Sequence, residues 1–108
     1  YDGLKDWATK NDVKLPSLPK FSTNNAHMFY MVFESIDERN KIINKLKAKN
    51  ILSVFHYLSL HKSPFYKSKH DGRTLENSDN YSDRLLRLPF YVELTNPEID
   101  TIIQVIKS

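Results

Sequence analysis

Ala26-His27-Met28-Phe29-Tyr30-Met31-Val32-Phe33 is the stretch on which the rest of the chain is read. Phe29, Met31 and Phe33 fall on one side of a period-two pattern and Met28, Tyr30 and Val32 on the other, so both faces are apolar. The pattern predicts a central strand covered on both sides. Just downstream, Ser35-Ile36-Asp37-Glu38 is a capping box, in which hydroxyl and carboxylate satisfy free amides at a helix start. Ile42, Ile43 and Leu46 form the apolar stripe of that helix. Lysines crowd its last turns, where the helix dipole favours them, and Asn50 is its stop. Ile51 to Tyr57 reads as a second strand, and a strand–helix–strand unit implies a right-handed crossover.

Upstream, Leu4, Trp7 and Ala8 are at helical spacing within Tyr1 to Asp12. Gly3 near the start is odd for a free-standing helix. Pro16 and Pro19 impose an extended connector, and Lys20 to Asn25 reads as linker. Downstream, Leu58 to Ser78 has no clear period, and a loop this long in a small domain is functional or disordered. Asn77 to Arg84 suits a short helix. Leu85 to Phe90 is a third strand, with Pro89 at an edge or break. Thr95-Asn96-Pro97-Glu98 is a second capping box, and Ile99, Ile102, Ile103 and Ile106 stripe a final helix. The order predicts an α+β (α/β two-layer) domain: a small, mostly antiparallel or mixed, three-stranded sheet with helices packed on it.

With 108 residues the chain has room for one domain. At 40% hydrophobic and 27% charged residues its composition is that of a folded protein. It has no cysteine, which excludes disulfides, a thiol nucleophile and Cys-ligated metals, and which fits a cytoplasmic address. The run Met28 to Phe33 is too short to cross a bilayer, and no signal-peptide pattern opens the chain. Two glycines in all exclude a glycine-rich phosphate loop. Beginning at Tyr1, the chain reads as cut from something longer. Net charge is +3, but Lys41 to Arg73 is strongly basic against Asp71 alone, and the balance turns acidic afterwards. Such a surface attracts phosphate-bearing ligands, although charge alone favours a solvated helix face and a polar loop.

The segment richest in chemistry is Val54-Phe55-His56-Tyr57-Leu58-Ser59-Leu60-His61-Lys62-Ser63-Pro64-Phe65-Tyr66, where a strand runs into the long loop. Strand ends that feed loops commonly carry sites, and imidazole and phenol both bond hydroxyls, carbonyls and phosphates. From spacing alone the blander reading prevails: His56 and Tyr57 cap the sheet edge and His61 is solvated. His56, His61 and His70 do not form a helical metal pair and only Asp71 lies near them, so no metal is expected. His27, at the head of the apolar strand, reads as a satisfied structural histidine. No serine or lysine sits in a recognisable nucleophile turn, so no self-sufficient catalytic set is expected. An independent small α+β module binding nucleic acid or phosphorylated ligands is the alternative from another class. Against nucleic acid, the aromatics of Met28 to Phe33 read as buried.

Asn25-Ala26-His27-Met28-Phe29-Tyr30, Val54-Phe55-His56-Tyr57-Leu58-Ser59-Leu60-His61 and Arg84-Leu85-Leu86-Arg87-Leu88-Pro89-Phe90 together resemble the C-terminal domain of the DegT/DnrJ/EryC/StrS sugar-nucleotide aminotransferases. The resemblance runs in order over residues 1–108. It implies the small C-terminal domain of the type I aminotransferase fold, with residues 1–12 as the end of an interdomain helix, which accounts for Gly3. It also implies a large domain that holds pyridoxal phosphate (PLP) on a lysine, a homodimer with active sites at the interface, and no membrane or nucleic-acid partner. The implied reaction moves an amino group from glutamate to a dTDP-4-keto-6-deoxy sugar for bacterial surface polysaccharide. The resemblance places no catalytic, cofactor-binding or metal residue in this chain, which alone should bind no PLP and be inactive; Lys62 and Lys67 are not Schiff-base lysines. What it carries over is the loop: His56, Tyr57 and His61 as substrate-binding residues, with Tyr66 and Arg73 as weaker candidates. Ser59 stands where the family often has proline, which implies a less rigid loop.

Overall fold

A computed structural model describes residues 1–108. Four helices pack with a two-stranded antiparallel sheet: α1 is Asp2–Lys10, β1 Tyr30–Val32, α2 Ile36–Lys47, α3 Glu76–Arg84, β2 Leu85–Arg87 and α4 Asn96–Lys107. Tyr30, Met31 and Val32 face Arg87, Leu86 and Leu85 in register. Two single bridges extend the ladder, Lys14 to Val32 on one side and Val54 to Arg87 on the other, both antiparallel. The α+β class is as expected, but the three long strands are not. Ile51 to Tyr57 pairs at Val54 alone, and β2 lies between it and β1, so the strand–helix–strand unit does not set its two strands side by side.

The strands are short for local reasons. Asn24 and Asn25 turn their carboxamide oxygens onto the amides of Ala26 and His27, and Ala26 takes a φ of 51°, so the start of the predicted strand is spent in Asx turns. At the same end of the ladder Leu88 donates to Phe29, and Pro89, lacking an N–H, ends the pairing. The cover is one-sided too. Met31, Phe33 and Leu86 are buried, whereas Met28, Tyr30 and Val32 on the opposite face are only half-buried. The sheet lacks a second layer on that side.

One core fills the space between sheet and helices. Leu4 and Ala8 of α1, Ile42 and Leu46 of α2, and Ile102 and Ile106 of α4 meet Met31, Phe33 and Leu86 there. α4 packs on both α1 and α2. A Cβ built at Gly3 would lie 2.5 Å from Ile103 Cδ1, so glycine there permits the close approach of α1 to α4. The helix ends follow their sequences, although at the start of α2 only the serine half of the capping box is formed. The Ser35 hydroxyl accepts from the Glu38 amide at 3.2 Å. The Glu98 carboxylate accepts from the Thr95 amide at 2.8 Å and from its hydroxyl at 2.7 Å, which holds that carboxyl below its usual range. Asn50 takes the left-handed φ of 57° that closes the turn after α2.

Leu58 to Ser78 is not a featureless loop. It folds into two single 3₁₀ turns, Leu60–Lys62 and Lys67–Lys69, and then enters α3. α2 is joined to this region by Arg39, which is 5% exposed: its guanidinium donates to the Ser82 carbonyl at 3.1 Å and lies 4.6 Å over the Phe55 ring. Burial pulls its pKa down, and Asp83 partly offsets this.

Candidate functional site

The segment from Val54 to Lys62 is held between β2 and α3. Two backbone hydrogen bonds, 2.7 and 3.1 Å, bind Val54 to Arg87. Two residues on, His56 Nδ1 lies 3.0 Å from Arg87 Nη1, and its ring stacks on Tyr57 at a centroid distance of 4.6 Å. The Tyr57 carbonyl accepts from the Ser82 hydroxyl at 3.0 Å, while its side chain is 76% exposed.

A second cluster forms around Asp79 Oδ1, which accepts from Lys62 Nζ at 2.8 Å and from the Ser59 hydroxyl at 3.2 Å, with His61 Nε2 3.0 Å from the same oxygen. The Lys62 bond holds the Asp79 carboxyl below its ordinary range, with Ser59 and the charges of Lys62 and His61 acting in the same direction. The same bond raises the Lys62 pKa. Ser59 is buried; its hydroxyl lies 3.2 Å from the Ser78 carbonyl as well as from Asp79, so its single proton is shared between them, and its oxygen accepts from the Ser78 hydroxyl at 3.2 Å.

The sequence candidates therefore gather in two groups. His56 and Tyr57 sit by Arg87. His61 sits by Asp79, with the His70 ring 5.0 Å away. Tyr66 and Arg73, the weaker candidates, line with His61, Lys69, His70 and Asp71 a cavity of about 280 Å³. What the groups share is α3: Ser82 holds Tyr57 and Asp79 holds His61, one helical turn apart.

Three expectations change. His61 is not solvated; its side chain is 11% exposed and paired. Ser59 does not loosen the loop, because its hydroxyl ties the loop to α3. His27 is exposed and only its backbone amide is bonded, so it is no buried structural histidine. Arg87, Asp79, Ser78 and Ser82 were not foreseen. The three-residue spacing of Asp79 and Ser82 on a predicted helix was one available signal; Arg87 was noted only as part of the Arg84 to Phe90 stretch that carries the resemblance, with no role given to it. No group of three His, Cys, Asp or Glu is placed to hold a metal ion. Every lysine is exposed.

Solved structures similar to the whole chain are aminotransferases. A DegT DnrJ EryC1 StrS aminotransferase from Brucella abortus is 31% identical with a TM-score of 0.76, covering 98% of this chain and 27% of its own. The aminotransferase TlmJ from Streptoalloteichus hindustanus is 18% identical with a TM-score of 0.82, covering 98% and 28%. NtdA from Bacillus subtilis, with bound cofactor PMP, is 22% identical with a TM-score of 0.80, covering 97% and 24%. This chain thus spans about a quarter of the length of the structures it resembles. The family model for the DegT/DnrJ/EryC1/StrS aminotransferase family matches residues 2–107, and the chain belongs to that family.

Proposed function

We propose that the chain is the small domain of a PLP-dependent sugar-nucleotide aminotransferase, residues 1–12 being the end of the helix that leads into it. The observation that carries this is the family match over residues 2–107 combined with the Val54–Lys62 segment, which offers His56, Tyr57 and His61 from a braced position. In the whole polypeptide a large domain supplies the lysine that holds PLP, and a second copy completes the site. Phe55, Tyr57, Leu58, Leu60 and Phe65 are all exposed along one segment, which supports a covering partner there. The proposed reaction transfers an amino group from glutamate to a dTDP-4-keto-6-deoxy sugar. Within that family the proposal extends to a transaminase like the one that makes dTDP-4-amino-4,6-dideoxygalactose, for bacterial surface polysaccharide in the cytoplasm. No helix is long and apolar enough to cross a membrane.

The test is His56→Ala, Tyr57→Phe and His61→Ala in the full-length enzyme. One lost hydrogen bond is worth about 0.5–1.5 kcal/mol to a neutral group and about 1.5–3 to a charged one. At ~1.4 kcal/mol per tenfold, kcat/KM for the dTDP-sugar should fall several-fold to about a hundred-fold while PLP loading stays intact. Unchanged kcat/KM in all three variants would leave the loop outside the active site.

A further inference from the structure

Arg87 is the one charged side chain bonded to the exposed imidazole of His56. The two are held in place from the backbone upward. Arg87 ends β2, its amide and carbonyl both pair with Val54, and its side chain then runs alongside the strand-like segment to His56. The guanidinium carries only N–H groups and is never deprotonated in proteins. At 3.0 Å from Arg87 Nη1, His56 Nδ1 can therefore only accept. In the neutral ring the proton is then on Nε2, which has no protein partner, and the ring plane is fixed by stacking on Tyr57.

We propose that Arg87 is a positioning residue that locks His56 in the Nε2–H tautomer, so that His56 offers a hydrogen-bond donor to an oxygen of the substrate and does not serve as a proton acceptor. The ligand group this arrangement takes is an oxygen acceptor: a hydroxyl, a carbonyl or a phosphate oxygen. The proposal rests on the reading of His56 as a substrate-binding residue.

The tautomer is read by long-range proton–nitrogen NMR of the His56 ring in the 108-residue chain at pH 8, where an ordinary imidazole is neutral. The wild type should show the proton on Nε2 alone. Arg87→Lys keeps a donor and should keep the tautomer. Arg87→Met should give a mixture, and Arg87→Glu, whose carboxylate only accepts, should move the proton to Nδ1. Backbone amide spectra that match away from residues 54–57 and 85–88 certify that each variant folds. A wild-type ring with the proton on Nδ1, or an Arg87→Glu ring that does not change, overturns the inference and leaves the substrate reading intact. In the full-length enzyme Arg87→Met should lower kcat/KM for the dTDP-sugar about 2- to 10-fold. Arg87→Lys should restore most of that, and in a His56→Ala background the Arg87→Met effect should vanish. Additive losses overturn the positioning role. A His56→Ala enzyme with full kcat/KM overturns the substrate reading itself, and the inference with it.

Discussion

Replacing Ser59 by proline and by alanine separates two contributions at one position. Ser59 is buried, has φ −54° and ψ 131°, and precedes the turn Leu60–Lys62. Its amide donates no backbone hydrogen bond. Proline fixes φ at about −65 ± 15°, so the ring fits this backbone and removes no bonded donor. Ser59→Ala loses the hydroxyl's bonds to Ser78 and Asp79, worth about 0.5–1.5 kcal/mol. Asp79 keeps its bond to Lys62 and its contact with His61, while the Ser78 hydroxyl loses its partner. Ser59→Pro loses the same bonds but restricts the unfolded chain, recovering about 0.4–1 kcal/mol. The expected order places proline above alanine and within about 1 kcal/mol of wild type. Urea melts resolve this: at a slope of about 1–3 kcal/mol per molar, the alanine variant's midpoint drops by several tenths of a molar. A proline variant less stable than the alanine variant would refute the turn geometry and the claim that the amide is free.

Phe33→Ala should destabilise the chain by about 3–5 kcal/mol, because Phe33 is 3% exposed and packed in the core, whereas Phe29→Ala, on the same face but half-buried at the edge of that core, should lose clearly less; equal losses in chemical melts would contradict the partial burial of Phe29. Asp79 has a depressed pKa, so its contribution is fully present above the ordinary carboxylate range and lost as pH falls through the folded value beneath it. Lys62 has a raised pKa, so its contribution is present below the ordinary lysine value and lost as pH rises through the folded one. The stability gap between wild type and Asp79→Asn should therefore be flat near neutrality and shrink below pH ~4; a gap as wide at pH 3 as at pH 7 would show that the carboxylate is not bonded in the folded chain. Amide exchange should be slow at Met31 and Leu86 and faster through residues 63–74, whose bonds are local turns; uniform protection would mean that this stretch folds with the core.

The helices were legible in the sequence because their signals are local. Ser35 and Glu38, Thr95 and Glu98, and the stripes Ile42–Leu46 and Ile102–Ile106 each act within a turn or two of chain, and the structure puts them at the helix ends and in the core. The segment holding His56, Tyr57 and His61 stood out as a candidate because aromatic and imidazole side chains are concentrated there. Strand lengths were not, because hydrophobic runs such as Ile51 to Tyr57 do not state how many partners will pair with them. Only the tertiary structure decided that β2 lies between β1 and Val54 and that one face of the sheet is left half-covered. It alone also decided which atoms hold the candidate site. Arg87 is 31 residues from His56 and Ser59 is 20 from Asp79. Hydrogen bonds across such separations depend on where the packed core carries β2 and α3, and no periodicity within a segment encodes that.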